Sequence, residues 1–246
     1  MENPKEELRE YLKKLIHRLL YLKGLNLQLK TLKEWETPER VIALEIGSYF
    51  FRLVQFSFYR TLLIELCLLL DSREQKCIVD WLVKARANAK VLEPSKYNPV
   101  TGEREVIKPD AYCEIISEQQ NLINGKKEII SNLKGRRDTS LVHSDAKYFN
   151  NPKDVYEDFP LPTEDLLSLI EIATEVLRMQ HVYLLGSDLD IQIYATSNID
   201  TILLHTRGFR RVWFDKRAES LYPYLYKLDD YEEKLKEHLS KHSKNA

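Results

Sequence analysis

From Ile42 to Leu70 the chain is apolar nearly all round, and Glu45, Arg52, Arg60 and Glu65 are its charged residues. A bilayer span calls for ~20 residues almost free of charge. The pattern instead predicts a core helix, at the centre of a bundle or shared with a second subunit. Tyr49, Phe50, Phe51, Phe56, Phe58 and Tyr59 form one aromatic block, expected to lie in that core rather than to stack on bases. Thr37 as N-cap and Pro38 in the first turn start the helix, so it runs from about 38 to 70.

Upstream, Leu8, Leu12, Leu15, Leu19, Leu22 and Leu25 recur at helical steps and predict a helix over residues 5–33. Its other face, with Lys13, Lys14, Arg18 and Lys23, reads as solvated. Asp71-Ser72-Arg73-Glu74 is expected to cap a third helix reaching about Ala89. Val91 to Pro109 carries prolines and Gly102 but no apolar period, and is expected to be the most mobile internal segment. Pro109-Asp110 opens a fourth helical region through Ile115, Ile116, Leu122, Ile129 and Ile130, with bends at Gly125 and Gly135. A polar, proline-bearing loop over residues 148–162 leads to a fifth helix from Thr163 to about Gly186. A sixth starts at Asp200 and runs toward Trp213.

Only seven glycines in 246 residues, and no convincing alternating run, point to an all-α chain of long helices. The expected division is a helical domain over residues 1–215 and a C-terminal helical tail over 216–246, fraying from Lys234. The formal charge is −1, so any nucleic-acid site must be a local basic patch. Cys67, Cys77 and Cys113 lack metal-ligand spacing and read as reduced structural thiols. With no apolar signal segment at the charged N-terminus, the expectation is a cytoplasmic protein with no membrane partner. No histidine spacing calls for a metal beyond His238 and His242 in the tail, which read as solvated, and no cofactor is expected.

The chemistry concentrates between Lys134 and Lys147, where Arg136, Arg137, Asp138, Thr139, Ser140, His143, Ser144 and Asp145 crowd together. A guanidinium neutralises phosphate through its planar donor fork, and histidine carries protons near neutral pH. Together they suffice to cleave RNA without a metal. The histidine takes the 2′-hydroxyl proton or protonates the leaving oxygen, the arginine steadies the phosphorane, and a cyclic phosphate results. At about 100° per residue, a regular helix sets Arg137 and His143 about 120° apart and brings Arg136 onto the His143 face. Both arginines therefore stand as phosphate ligands, with Lys134, Lys147 and Ser144 as further RNA contacts. The bland alternative is a helix end with Asp138 paired to a lysine and His143 on the surface. A Ser-His hydrolase lacks its strand–turn–helix setting.

Gly-Arg-Arg-Asp-Thr-Ser-Leu-Val-His-Ser-Asp, residues 135–145, resembles the signature of the HEPN superfamily: an arginine, a polar residue, four more, then a histidine. The His-Ser-Asp ending resembles the abortive-infection (AbiU2-like) branch. Phe58 to Arg73 and Leu166 to Asp188 are similar to the helices flanking the motif there, so the likeness spans about residues 10–210. It implies an all-α HEPN bundle with the motif on or at the end of a helix, and a homodimer whose two motif copies meet in a cleft. It also implies metal-independent endoribonuclease activity, with Arg137 and His143 as the catalytic pair and Asp138 as the polar orienter. Three functions compete. One is an RNA-cleaving toxin or phage-defence effector, the second a non-catalytic HEPN module binding a nucleotide or a partner antitoxin such as a nucleotidyltransferase, and the third a helical scaffold. Local lysines and arginines favour the first; the near-neutral total charge favours the others.

Overall fold

A computed structural model describes residues 3–33, 48–98, 101–142 and 153–187. Its elements are α1 (Pro4–Lys33), α2 (Ser48–Leu70), α3 (Ile78–Ala87), α4 (Ala89–Leu92), β1 (Ser95–Tyr97), β2 (Arg104–Val106), α5 (Pro109–Asn124), α6 (Lys127–Arg136), a π-helical turn (Arg137–Val142), α7 (Asp154–Asp158) and α8 (Thr163–Leu185). The protein is all-α, with one short hairpin among the described residues. One compact unit comprises Met1–Glu34 and Tyr49–Thr196; the other, Trp35–Ser48 with Ser197–Ala246, lies outside the described residues save for Ser48. The expected helix starts at Pro38 and Asp200, and the boundary near residue 215, also lie outside them.

The leucine ladder of α1 is buried as its spacing requires: Leu12, Leu15, Leu19 and Leu22 form a continuous stripe of the core. That stripe lies along α8, whose Ala173, Val176 and Leu177 are fully enclosed. α3 and α4 cover the N-terminal part of α1, where Trp81 donates from its indole nitrogen to the Leu8 carbonyl at 3.0 Å. α5 packs against α3, α4 and α8. Between α5 and α8 the buried polar groups satisfy one another: Tyr112 donates to Gln180 Oε1, and Gln180 Nε2 donates to Gln119 Oε1, each at 2.6 Å. Such a closed network avoids the penalty of buried, unpaired amides and fixes the register of the two helices.

α2 runs antiparallel to α1, since Gln55 Nε2 bonds the Leu32 carbonyl while Arg18 Nε meets Glu65 at 3.0 Å. Only its second half matches the expectation of a core helix. Leu62, Leu63, Leu66, Cys67, Leu69 and Leu70 are buried, whereas Tyr49, Phe50 and Phe56 are 77%, 60% and 57% exposed. The aromatic block is therefore not core, apart from Phe51 and the half-buried Phe58 and Tyr59. α2 is long and apolar enough to cross a bilayer, but it is the half nearest the motif that the bundle covers.

Three expectations need correction. Asp71–Glu74 does not cap α3; that helix begins at Ile78, with the Cys77 thiol accepting from the Asp80 amide at 3.3 Å. Ala89–Leu92 form the further helix α4, and the connection after it carries a short hairpin that the all-helical reading did not expect, with Ser95 opposite Val106 and Tyr97 opposite Arg104. Arg104 holds it down by donating to the Val182 and Gly186 carbonyls, each at 2.6 Å, at the C-terminal end of α8. A cation there satisfies carbonyls the helix leaves open and offsets its dipole. Third, the loop over 148–162 contains the short helix α7.

Candidate functional site

The stretch from Lys134 starts as helix and then changes pitch. α6 ends at Arg136, and from Arg137 the backbone widens into the π turn. Two local features favour the change. Gly135 holds its backbone less firmly than other residues, and Thr139 Oγ1 bonds back to the Gly135 carbonyl at 2.6 Å, a local bond that competes with the helical ladder. π turns often occur at functional positions. Here the turn sends consecutive arginines to different neighbours.

Arg136 is buried, at 8% exposure. Its Nε donates to the Phe159 carbonyl at 2.7 Å, its Nη1 to the Tyr59 hydroxyl at 3.1 Å, and its guanidinium lies 4.8 Å from the centre of the Tyr156 ring. It thereby ties α6 to α2 and to the α7 segment. Phe159 also packs closely on Gly135, where an added Cβ would overlap the ring. This glycine is a close-approach residue rather than a bend; the bend falls at Gly125, between α5 and α6. The regular helix that put Arg136 on the His143 face does not exist past Arg136, because each π residue turns through less than 100°.

Arg137 points to the end of α2 and the turn after it. Its Nε donates to Asp138 Oδ1 at 2.8 Å, its Nη1 to Glu74 Oε1 at 3.0 Å, and its Nη2 lies 3.8 Å from Asp71 Oδ2. Lys134 Nζ approaches the same Asp71 oxygen at 3.6 Å. Asp71 is buried, and its Oδ1 accepts from the Arg73 amide at 3.1 Å, which fixes the carboxylate against the turn. Its Oδ2 is enclosed and has no hydrogen-bond partner among the described residues, only the two longer ionic contacts. Burial opposes the Arg137 charge, but the bonds to Asp138 and Glu74 outweigh it, so the pKa stands above the ordinary arginine value. Beside it the Cys67 thiol is pushed up to about 12 by burial, with Arg137 pulling the other way.

The structure thus brings Lys134, Arg137 and Asp138 together and sends Arg136 elsewhere. His143, Ser144 and Lys147 lie outside the described residues. Sequence reasoning missed Asp71 and Glu74, and likewise Tyr59, Tyr156 and Phe159, the partners of Arg136. The available signal was Asp71 itself, a carboxylate directly after Leu68-Leu69-Leu70. Among the described residues no group of three or more His, Cys, Asp or Glu side chains is arranged to hold a metal ion; the Arg137 guanidinium stands among the three carboxylates.

The HEPN AbiU2 family model matches residues 5–200 of the chain. The protein belongs to the HEPN AbiU2 family. No curated protein and no solved structure matches it. The match includes the arginine pair, the described helices and the carboxylates around Arg137, so the cluster belongs to the HEPN part of this abortive-infection type of chain.

Proposed function

We propose that this HEPN protein is an endoribonuclease that needs no metal, acting as a toxin or phage-defence effector. The observation that carries the reading is the different placement of the two arginines. Arg136 is sunk among Phe159, Tyr59 and Tyr156, while Arg137 stands in a polar cluster at the start of the motif's π turn. This favours Arg137 over Arg136 as the residue that meets a scissile phosphate. In the reaction the 2′-oxygen attacks phosphorus and the 5′-oxygen leaves. His143 takes the proton from the first or supplies one to the second, and Arg137 offsets the charge on the phosphorane. The products are a 2′,3′-cyclic phosphate and a 5′-hydroxyl. Asp138 supports the role by holding Arg137 Nε.

A homodimer fits this reading. Tyr49, Phe50, Leu53 and Phe56 leave an apolar face exposed on the first half of α2, which a second copy would cover. The alternative is a non-catalytic module that binds a nucleotide or an antitoxin. The one observation favouring it is that Arg137 is already surrounded by carboxylates. Cleavage of a labelled single-stranded RNA decides between them. The nuclease reading requires activity that survives EDTA, leaves cyclic phosphate ends, and is lost in His143→Ala and Arg137→Ala with the fold intact. Activity that depends on a divalent ion, or that persists in His143→Ala, refutes it.

A further inference from the structure

Three carboxylates around one guanidinium are more than its charge requires, and they are not equivalent. The Asp71 side chain is 7% exposed and the Glu74 side chain 33%. Asp71 is short, directly follows α2, and is pinned by the Arg73 amide at 3.1 Å and its Nε at 3.4 Å. Glu74 has a longer side chain and sits in the turn between α2 and α3, tied there by its own amide to the Asp71 carbonyl at 3.0 Å. Its carboxylate meets Arg137 Nη1 at 3.0 Å, the charge-assisted contact a phosphate oxygen makes with arginine. Opposite it, among the described residues Nη2 has only the 3.8 Å approach to Asp71, beyond hydrogen-bond length.

We infer that Asp71 and Glu74 regulate the site in opposite ways. Asp71 is a positioning residue that, with Asp138, aims the Arg137 guanidinium and anchors Lys134. Glu74 is a displaceable anion that occupies the phosphate's place on Nη1 until RNA arrives and swings out as it binds. This inference rests on the reading of Arg137 as the phosphate ligand. It follows from the unequal exposure of the two acids, the unpartnered Asp71 oxygen aimed at both cations, and the single-oxygen contact of Glu74. A phosphate that takes the Nη1 hydrogen Glu74 holds must displace that carboxylate, so RNA bound there works against it.

Steady-state cleavage of a fluorescent single-stranded RNA by wild type, Glu74→Gln and Asp71→Asn tests the pair, with RNA affinity measured separately in a His143→Ala background. Glu74→Gln should lower KM and Kd by roughly threefold to tenfold, the gain from removing one competing charge, with kcat nearly unchanged. Asp71→Asn keeps its shape and the Arg73 bond but loses the charge. It should lower kcat by about 100-fold, as misplacing a transition-state group by an ångström does, and leave KM within a few-fold. A merely structural role would lower the melting temperature of both variants and scale kcat with the folded fraction, leaving KM alone. If wild type cleaves RNA but Glu74→Gln binds no better, the displaceable-anion role is overturned while the nuclease reading stands. If Asp71→Asn keeps wild-type kcat, the positioning role is overturned. If wild type neither binds nor cleaves RNA, the nuclease reading itself has failed and this inference fails with it.

Discussion

Arg136→Ala is expected to destabilise the fold by about 3 kcal/mol. The side chain makes two charge-assisted hydrogen bonds, to the Phe159 carbonyl and the Tyr59 hydroxyl, each of a kind that contributes roughly 1.5–3 kcal/mol. The Tyr156 contact adds about 1 kcal/mol, being partly desolvated. Against these stands the cost of drawing a guanidinium out of water, which alanine does not bear, so the sum is discounted to about 3 kcal/mol. For a chain of this size, 1 kcal/mol moves the melting temperature by about 2–4 °C, giving a fall of about 6–12 °C. Arg136→Lys keeps a charge near Tyr156 but loses the fork that reaches Phe159 and Tyr59 together, and should fall about half as far. Thermal melts followed by circular dichroism at one protein concentration measure both. RNA cleavage is then assayed well below the lower melting point, where folded Arg136→Ala should keep most of its kcat. A melting temperature within about 1 °C of wild type, together with lost RNA affinity, would refute the structural assignment and restore Arg136 as the phosphate contact.

Gly135→Ala should destabilise by about 1–3 kcal/mol, because the new methyl meets the Phe159 ring. Helix propensity alone predicts a gain of about 1 kcal/mol, so the sign of the change in urea midpoint decides. Cys67, with its pKa pushed up to about 12 from 9.0, should resist alkylation at pH 8 in the native protein and label quickly in urea, as peptide mapping would show. Since the folded pKa lies above the unfolded one, its contribution to stability is full below about pH 9 and is lost as pH rises toward 12. Native labelling at the denatured rate would contradict the burial argument. The wild-type chain should sediment as a dimer at micromolar concentration, and Phe50→Glu with Phe56→Glu should make it a monomer. A wild-type monomer, or a charged variant that still dimerises, would remove the α2 face from the interface.

What could be read beforehand follows from the range of the interactions concerned. The α1 leucines announce themselves because helical burial repeats over many turns, and each position reinforces the last. The hairpin was missed because its strands have three residues each and are held down by one of their own side chains, Arg104, reaching distant carbonyls of α8, rather than by an alternating apolar face. The first half of α2 misled for a related reason. Composition records how apolar a helix is, not how far its neighbours extend along it, and apart from Phe51 the buried residues of α2 lie within Leu62–Leu70.

The motif shows the same limit at the scale of one residue. Arg136 and Arg137 are chemically identical, and on a regular helix the wheel favours Arg136 as the partner of His143. The structure separates the two side chains where the pitch changes at Arg137, beside the Thr139 back-bond and the close approach of Phe159 to Gly135. Neither is legible from the spacing of an arginine and a histidine. Asp71 and Glu74 are remote in sequence from the motif, yet they meet Arg137 because the end of α2 meets the end of α6. A carboxylate directly after a run of buried leucines cannot stay there alone, since burial without a counter-charge would neutralise or expose it. Asp71 therefore demands counter-charge, and besides the neighbouring Arg73 at 3.4 Å the described cations that reach it from elsewhere in the fold are Lys134 and Arg137 of the motif. The end of the core helix and the chemical stretch are in this sense one feature, joined by the electrostatics of a single buried acid.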